Sequence, residues 1–148
     1  MAPTLLLPDE AATEALARRL GDVLGSGDCL LLSGPIGSGK SAFARALIRH
    51  RLGEPLAEVP SPTFTLVQTY EAPGLEIWHA DLYRLGHVDE LAELGLDEAM
   101  EGALCLIEWP DRLGPLTPER ALLLDFAAGP DGHEVTVGTR GDWPALPL

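Results

Sequence analysis

Apolar residues fall into two alternating rhythms along this chain. Ala12, Leu16, Leu20 and Leu24 repeat along one helical face, and Asp9 stands where an N-cap satisfies free amides. A helix of about four turns is therefore predicted from Pro8 to the Gly25-Ser-Gly27 break. A continuous apolar run over 28–33 follows and reads as a buried strand. Helical spacing returns over 42–52, with Phe43, Leu47 and Ile48 sharing a face. After a linker over 53–60, the segment 61–70 begins irregularly and becomes a β-branched and aromatic strand. Ala72-Pro-Gly74 marks a turn into 75–81, whose alternation predicts a half-covered, antiparallel strand. Helical patterning over 88–100 breaks at Gly95, and 103–108 is an apolar run ending in an acid, as a central parallel strand would. Two shorter strands are predicted at about 121–127 and 133–138.

Strands alternating with helices predict an α/β fold: a largely parallel sheet with antiparallel additions and helices on both faces. The length of 148 residues suits one domain, assigned to 1–140, followed by a Pro-rich, loosely held tail over 141–148.

Charge narrows the partners. The net charge is −13, with nine arginines and a single lysine. Direct gripping of nucleic-acid phosphates normally requires a basic stripe, so tRNA or DNA contact would have to be carried by a partner. The start of the chain lacks the basic n-region and apolar core of a signal peptide, and no apolar run approaches a membrane span. Cys29 and Cys105 each lie in an apolar run without metal-ligand spacing and read as buried thiols of a cytoplasmic protein. His50, His79, His87 and His133 likewise lack ligand spacing. His79 alternates with Asp81 on one strand face but reads as a satisfied structural imidazole.

The one lysine lies within Gly34-Pro-Ile-Gly-Ser-Gly39-Lys40-Ser41, a full match to the phosphate-binding loop. Glycines let the backbone wrap a phosphate and supply left-handed dihedrals. The amides form an anion nest at a helix start. Gly34, Gly37, Ser38, Gly39, Lys40, Ser41 and Ala42 are thus the candidate nucleotide-binding residues of this segment. Lys40 would reach the β- and γ-phosphates, and the Ser41 hydroxyl is a hard oxygen suited to Mg²⁺.

Hydrolysis needs carboxylates beside the loop. Glu108 ends the most buried-looking strand, the Walker B position, where Asp is more usual; Asp81 ends a more amphipathic one. The lesser alternative for each is a strand-end acid facing water. Thr63 and Thr65, in a Pro-stiffened Ser61-Pro-Thr-Phe-Thr65 segment, sit where GTPase-like proteins place a Mg²⁺-sensing threonine, with an ordinary Ser/Pro loop as the equal alternative. Trp109 could be core or a contact at the site mouth.

Taken in order, GPIGSGKS, SPTFTLVQTY, HADLYRL, ELGLDEAM and CLIEWPDRLG resemble the TsaE (YjeE) family of small bacterial P-loop ATPases over about 9–127. The resemblance implies binding of ATP and Mg²⁺, with hydrolysis effective mainly on the TsaB–TsaD heterodimer. That complex transfers threonylcarbamoyl to adenosine 37 of tRNAs reading codons that begin with A, and the ATP cycle would reset it. The resemblance makes Lys40, Asp81 and Glu108 the catalytic set and Ser41 and Glu108 the metal ligands. It places Trp109 beside them, makes Thr63 or Thr65 the switch threonine, and puts Glu10 and Thr13 near the nucleotide base. Pro35, Ile36 and Ser38 depart from the usual family loop, GDLGAGKT, and Ser41 replaces its Thr but keeps the hydroxyl. Two rival readings are a small-molecule kinase, although no Arg-rich lid is visible, and a nucleotide-dependent regulator without catalysis.

Overall fold

The computed structural model describes residues 3–148. Among them, seven strands form one sheet in the order β1-β7-β6-β2-β5-β4-β3. These strands are β1 (Thr4–Leu7), β2 (Cys29–Ser33), β3 (Val67–Ala72), β4 (Leu75–Asp81), β5 (Leu104–Glu108), β6 (Ala121–Gly129) and β7 (Gly132–Arg140). The pairs β6–β2, β2–β5 and β5–β4 are parallel; β1–β7, β7–β6 and β4–β3 are antiparallel. The predicted α/β class therefore holds, with a parallel centre and antiparallel margins. β4 is antiparallel only to its outer neighbour β3, and joins the parallel centre through β5.

Side chains of a strand alternate between faces, and here the two faces serve different helices. Leu30 and Leu32 of β2 and Leu104 and Leu106 of β5 pack with Leu16, Leu20, Phe43, Leu47 and Ile48 of helices α1 (Glu10–Val23) and α2 (Lys40–Leu52). On the opposite face Leu31, Cys105 and Ile107 meet Leu91 and Leu96 of the short helices α3 (Asp89–Leu94) and α4 (Leu96–Gly102). Gly95 joins those two helices at φ +83°, the break expected from the sequence. Asp9 caps α1 by accepting from the Ala12 amide at 2.9 Å.

Two features differ from expectation. Thr4–Leu7, read only as a non-signal N-terminus, is an edge strand paired with Thr136 to His133 of β7. The 141–148 tail is held rather than loose. Trp143 and Leu146 pack against the α1–α2 core, the Arg120 guanidinium stacks 3.7 Å from the Trp143 ring centroid, and Arg19 donates to the Pro147 carbonyl. No helix among the described residues is long and apolar enough to cross a membrane.

Candidate functional site

The parallel centre aims β2, β4 and β5 at one end of the sheet, and the chemistry gathers there. β2 runs into the glycine loop, and α2 begins at Lys40. Gly34 has φ +134°, and a Cβ there would lie 2.4 Å from the Phe126 carbonyl oxygen, so β6 closes against the loop too tightly for any side chain. Gly39, at φ +105°, leads directly into α2. The Ser38 hydroxyl is buried among these residues without a hydrogen-bond partner.

Lys40 is only 4% exposed. Its ammonium donates to the Gly34 carbonyl at 2.5 Å and lies 3.7 Å from the Trp109 ring centroid. Burial pushes its pKa below the usual lysine value, while Glu108, Asp81 and Asp111 pull in the opposite direction. Trp109 takes a left-handed conformation, φ +58°, directly after Glu108. It packs against the α3–α4 core and also presents its ring to Lys40, with Tyr83 at 5.0 Å. Trp109 thus packs with the core and also lines the cavity.

Asp81 and Glu108 are register partners at the ends of β4 and β5. The Ser41 hydroxyl donates to Glu108 Oε1 at 3.0 Å. Asp81 Oδ2 accepts from the Thr63 hydroxyl at 3.3 Å, and its Oδ1 accepts from the Tyr83 amide at 3.1 Å. Thr65 is turned elsewhere, accepting from the Gln68 side chain. A cavity of about 510 Å³ is lined by Lys40, Ser41, Thr63, Asp81, Glu108 and Trp109, among others. Glu10 and Thr13 line a separate recess of about 290 Å³ next to it. Gly39, Ala42 and His133 border both spaces.

The residues present fit a nucleoside triphosphate with Mg²⁺. The loop carries Gly34, Gly37 and Gly39 at positive φ, and the nearby donors are hard oxygens: one hydroxyl and one buried carboxylate within 3.0 Å of each other. No cluster of three or more His, Cys, Asp or Glu able to hold a metal occurs among the described residues. Mg²⁺ is usually held by one or two protein oxygens together with phosphates and water rather than by an all-protein cage.

Two histidines depart from their sequence reading. His79 Nε2 lies 2.6 Å from Glu108 Oε2, yet its Nδ1 is buried without a partner, so the ring is not the satisfied structural imidazole expected. His133, passed over for lack of ligand spacing, reaches the site because β7 starts beside Gly39. Ile36, Ser61, Tyr83 and Arg84 also line the cavity; they lie inside the GPIGSGKS, SPTFTLVQTY and HADLYRL stretches, though the sequence alone does not single them out as site residues.

Comparison with known proteins gives one answer. Residues 7–135 match the family model "Threonylcarbamoyl adenosine biosynthesis protein TsaE". A Rickettsia felis protein named tRNA threonylcarbamoyladenosine biosynthesis protein TsaE is 45% identical over 107 residues, covering 72% of this chain and 62% of the relative. A Bacillus subtilis protein of the same name is 36% identical over 137 residues, covering 91% of this chain and 83% of its own length. The chain thus spans less than two thirds of the Rickettsia felis relative, and the same is true of the one from Rickettsia conorii. The crystal structure of Bacillus subtilis YdiB superposes with a TM-score of 0.74 at 28% identity, covering 95% of this chain and 87% of the other. With a family model matched over most of its length and relatives 36–45% identical, the chain belongs to the TsaE family.

Proposed function

We propose that this protein is a Mg²⁺-dependent ATPase serving threonylcarbamoyladenosine formation on tRNA, acting on a TsaB–TsaD complex. The observation that carries the reading is the convergence of Lys40, Ser41, Asp81 and Glu108 on one cavity at the end of the parallel strands. In this reading the loop amides and the α2 N-terminus bind the phosphates, and Lys40 leaves the Gly34 carbonyl to meet the β- and γ-oxygens. Ser41 and Glu108 would hold Mg²⁺, which when bound offsets the negative charge gathering on the phosphate oxygens. Asp81, oriented by Thr63 and the Tyr83 amide, retains lone pairs to accept a hydrogen bond from water and align it with the γ-phosphorus. Water attack breaks the γ-phosphate–ADP bond and yields ADP and inorganic phosphate.

The net charge of −13 supports a division of labour in which the partner complex holds the tRNA. ATPase activity measured with and without TsaB–TsaD tests the proposal. The expected outcome is slow phosphate release alone and a marked rise with the complex. A phosphorylated small molecule accumulating with ADP, in place of free phosphate, would assign a kinase instead.

A further inference from the structure

His79 and Glu108 form a dry pair behind the cavity. Each is 2% exposed, and His79 Nε2 stands 2.6 Å from Glu108 Oε2. The other carboxylate oxygen, Oε1, accepts from Ser41. Glu108 therefore faces the site with one oxygen and is tethered from behind by the other. His79 itself does not line the cavity.

The tautomer follows from the hydrogen-bond inventory. An ionised carboxylate only accepts, so the ring nitrogen facing it must carry hydrogen. His79 Nδ1 is buried with no acceptor nearby, and an orphaned N–H costs more than an unfilled lone pair. Nε2 is thus the donor and Glu108 Oε2 the acceptor. The reverse arrangement, a protonated Glu108 donating to Nε2, would leave an N–H on Nδ1 unmatched.

A glutamate has one more rotatable bond than the aspartate more usual at this strand end, and its terminal torsion is broad. Something must fix it if its oxygen is to stand beside Ser41. We infer that His79 is a positioning residue that locks the Glu108 carboxylate, so that Oε1 and the Ser41 hydroxyl form a preset pair of oxygen donors for the divalent cation. This inference rests on the proposed nucleotide site. It adds that the cation's affinity is set from the dry side of β4 and β5, by a group that touches neither metal nor nucleotide.

The test uses the full-length protein, mant-ATP and Mg²⁺. His79→Leu keeps the volume and removes the donor; His79→Gln returns an N–H to Glu108. For His79→Leu we expect mant-ATP binding without Mg²⁺ to stay near that of the parent. Its Mg²⁺ requirement for tight binding should rise about 10- to 100-fold, as with other partners that orient metal ligands, and His79→Gln should recover most of the loss. A folded His79→Leu with the parent's Mg²⁺ requirement overturns the inference, as does a Gln variant no better than Leu. A metal-free readout stands even if the Leu variant fails to fold. Ring ¹⁵N shifts of the parent should report hydrogen on Nε2, and a bare Nε2 would overturn the assignment. A parent whose ATP binding ignores Mg²⁺ would sink the nucleotide reading and this inference together. Failure confined to His79 leaves the nucleotide reading intact.

Discussion

Asp81 and Glu108 lie directly opposite one another in the parallel register of β4 and β5, yet they hold different partners. Glu108 is bound by Ser41 and His79, and Asp81 by Thr63 and the Tyr83 amide. The partners separate the roles: Glu108 belongs to the loop hydroxyl, and Asp81 to the switch-like segment. Asp81→Asn keeps the shape and should leave nucleotide affinity within a few-fold of the parent while lowering turnover by about 100-fold or more. Single-turnover phosphate release beside equilibrium nucleotide binding separates the two effects. Equal losses in both would place Asp81 in binding instead.

Lys40 carries a conflict between folding and function. Burial lowers its pKa from 10.5 despite the nearby carboxylates, so the folded chain releases this proton more readily than the unfolded chain. Below the folded pKa the full penalty for burying the ammonium applies, and stability rises as pH climbs from that value toward 10.5. Lys40→Met should therefore melt at or above the parent's midpoint at pH 7 without nucleotide, and should lose the lysine's share of any alkaline rise. It should also lose ATP binding. Calorimetry across pH checks this; a large drop in midpoint at pH 7 would mean that the contacts with Gly34 and Trp109 outweigh desolvation.

What could be read in the sequence was local. The strand, glycine loop and helix over 28–52 follow from spacing and loop chemistry within a few residues, and the structure has them as expected. β1 was missed because four residues carry little pattern and its partner, β7, lies more than a hundred residues away. Sequence separation also hides His133, whose approach to Gly39 depends on the β6–β7 hairpin closing beside the loop. For His79, alternation placed the ring on the Asp81 face, but its bond to Glu108 depends on the register between β4 and β5, which no single strand encodes. The tail's prolines predict a loose segment; Trp143, stacked on Arg120, outweighs them.

Gly34 is required by the fold before any ligand arrives. A Cβ there meets the Phe126 carbonyl at 2.4 Å and the Ser38 hydroxyl at 2.8 Å, with φ at +134°. Gly34→Ala should cost at least about 1–3 kcal/mol of stability from backbone strain alone. Urea unfolding measures it. Gly37→Ala meets no atom within 4 Å and should lose only the cost of its φ of +82°, making it the milder of the two.

Cys29 and Cys105 face each other in register on β2 and β5 and are both buried and free. Burial raises both thiols, Cys105 to about 12, and the Cys29 thiol is raised further by Cys105 and Asp28. A raised pKa keeps sulfur as thiol, and the thiolate is the nucleophile. Neither should react with a thiol reagent at pH 8 in the native protein, and both should react once it is denatured. Rapid native labelling would show that the sheet opens at its centre.

His133 stands where the phosphate loop passes into the Glu10–Thr13 recess. Its Nδ1 would lie 3.2 Å from a Cβ on Gly39, and the ring borders both the large cavity and the recess. A nucleotide with its phosphates on the loop and its nucleoside in the recess would run past this imidazole, while a bare polyphosphate would fill only the loop. His133→Ala should therefore weaken ATP binding about fivefold, the scale of one neutral hydrogen bond to the nucleoside, and leave tripolyphosphate affinity nearly unchanged. Paired calorimetric titrations with the two ligands decide it. If both weaken equally, the ring acts by supporting Gly39 and the loop; if neither changes, the nucleoside leaves the loop on another side and the recess beside Glu10 is not its seat.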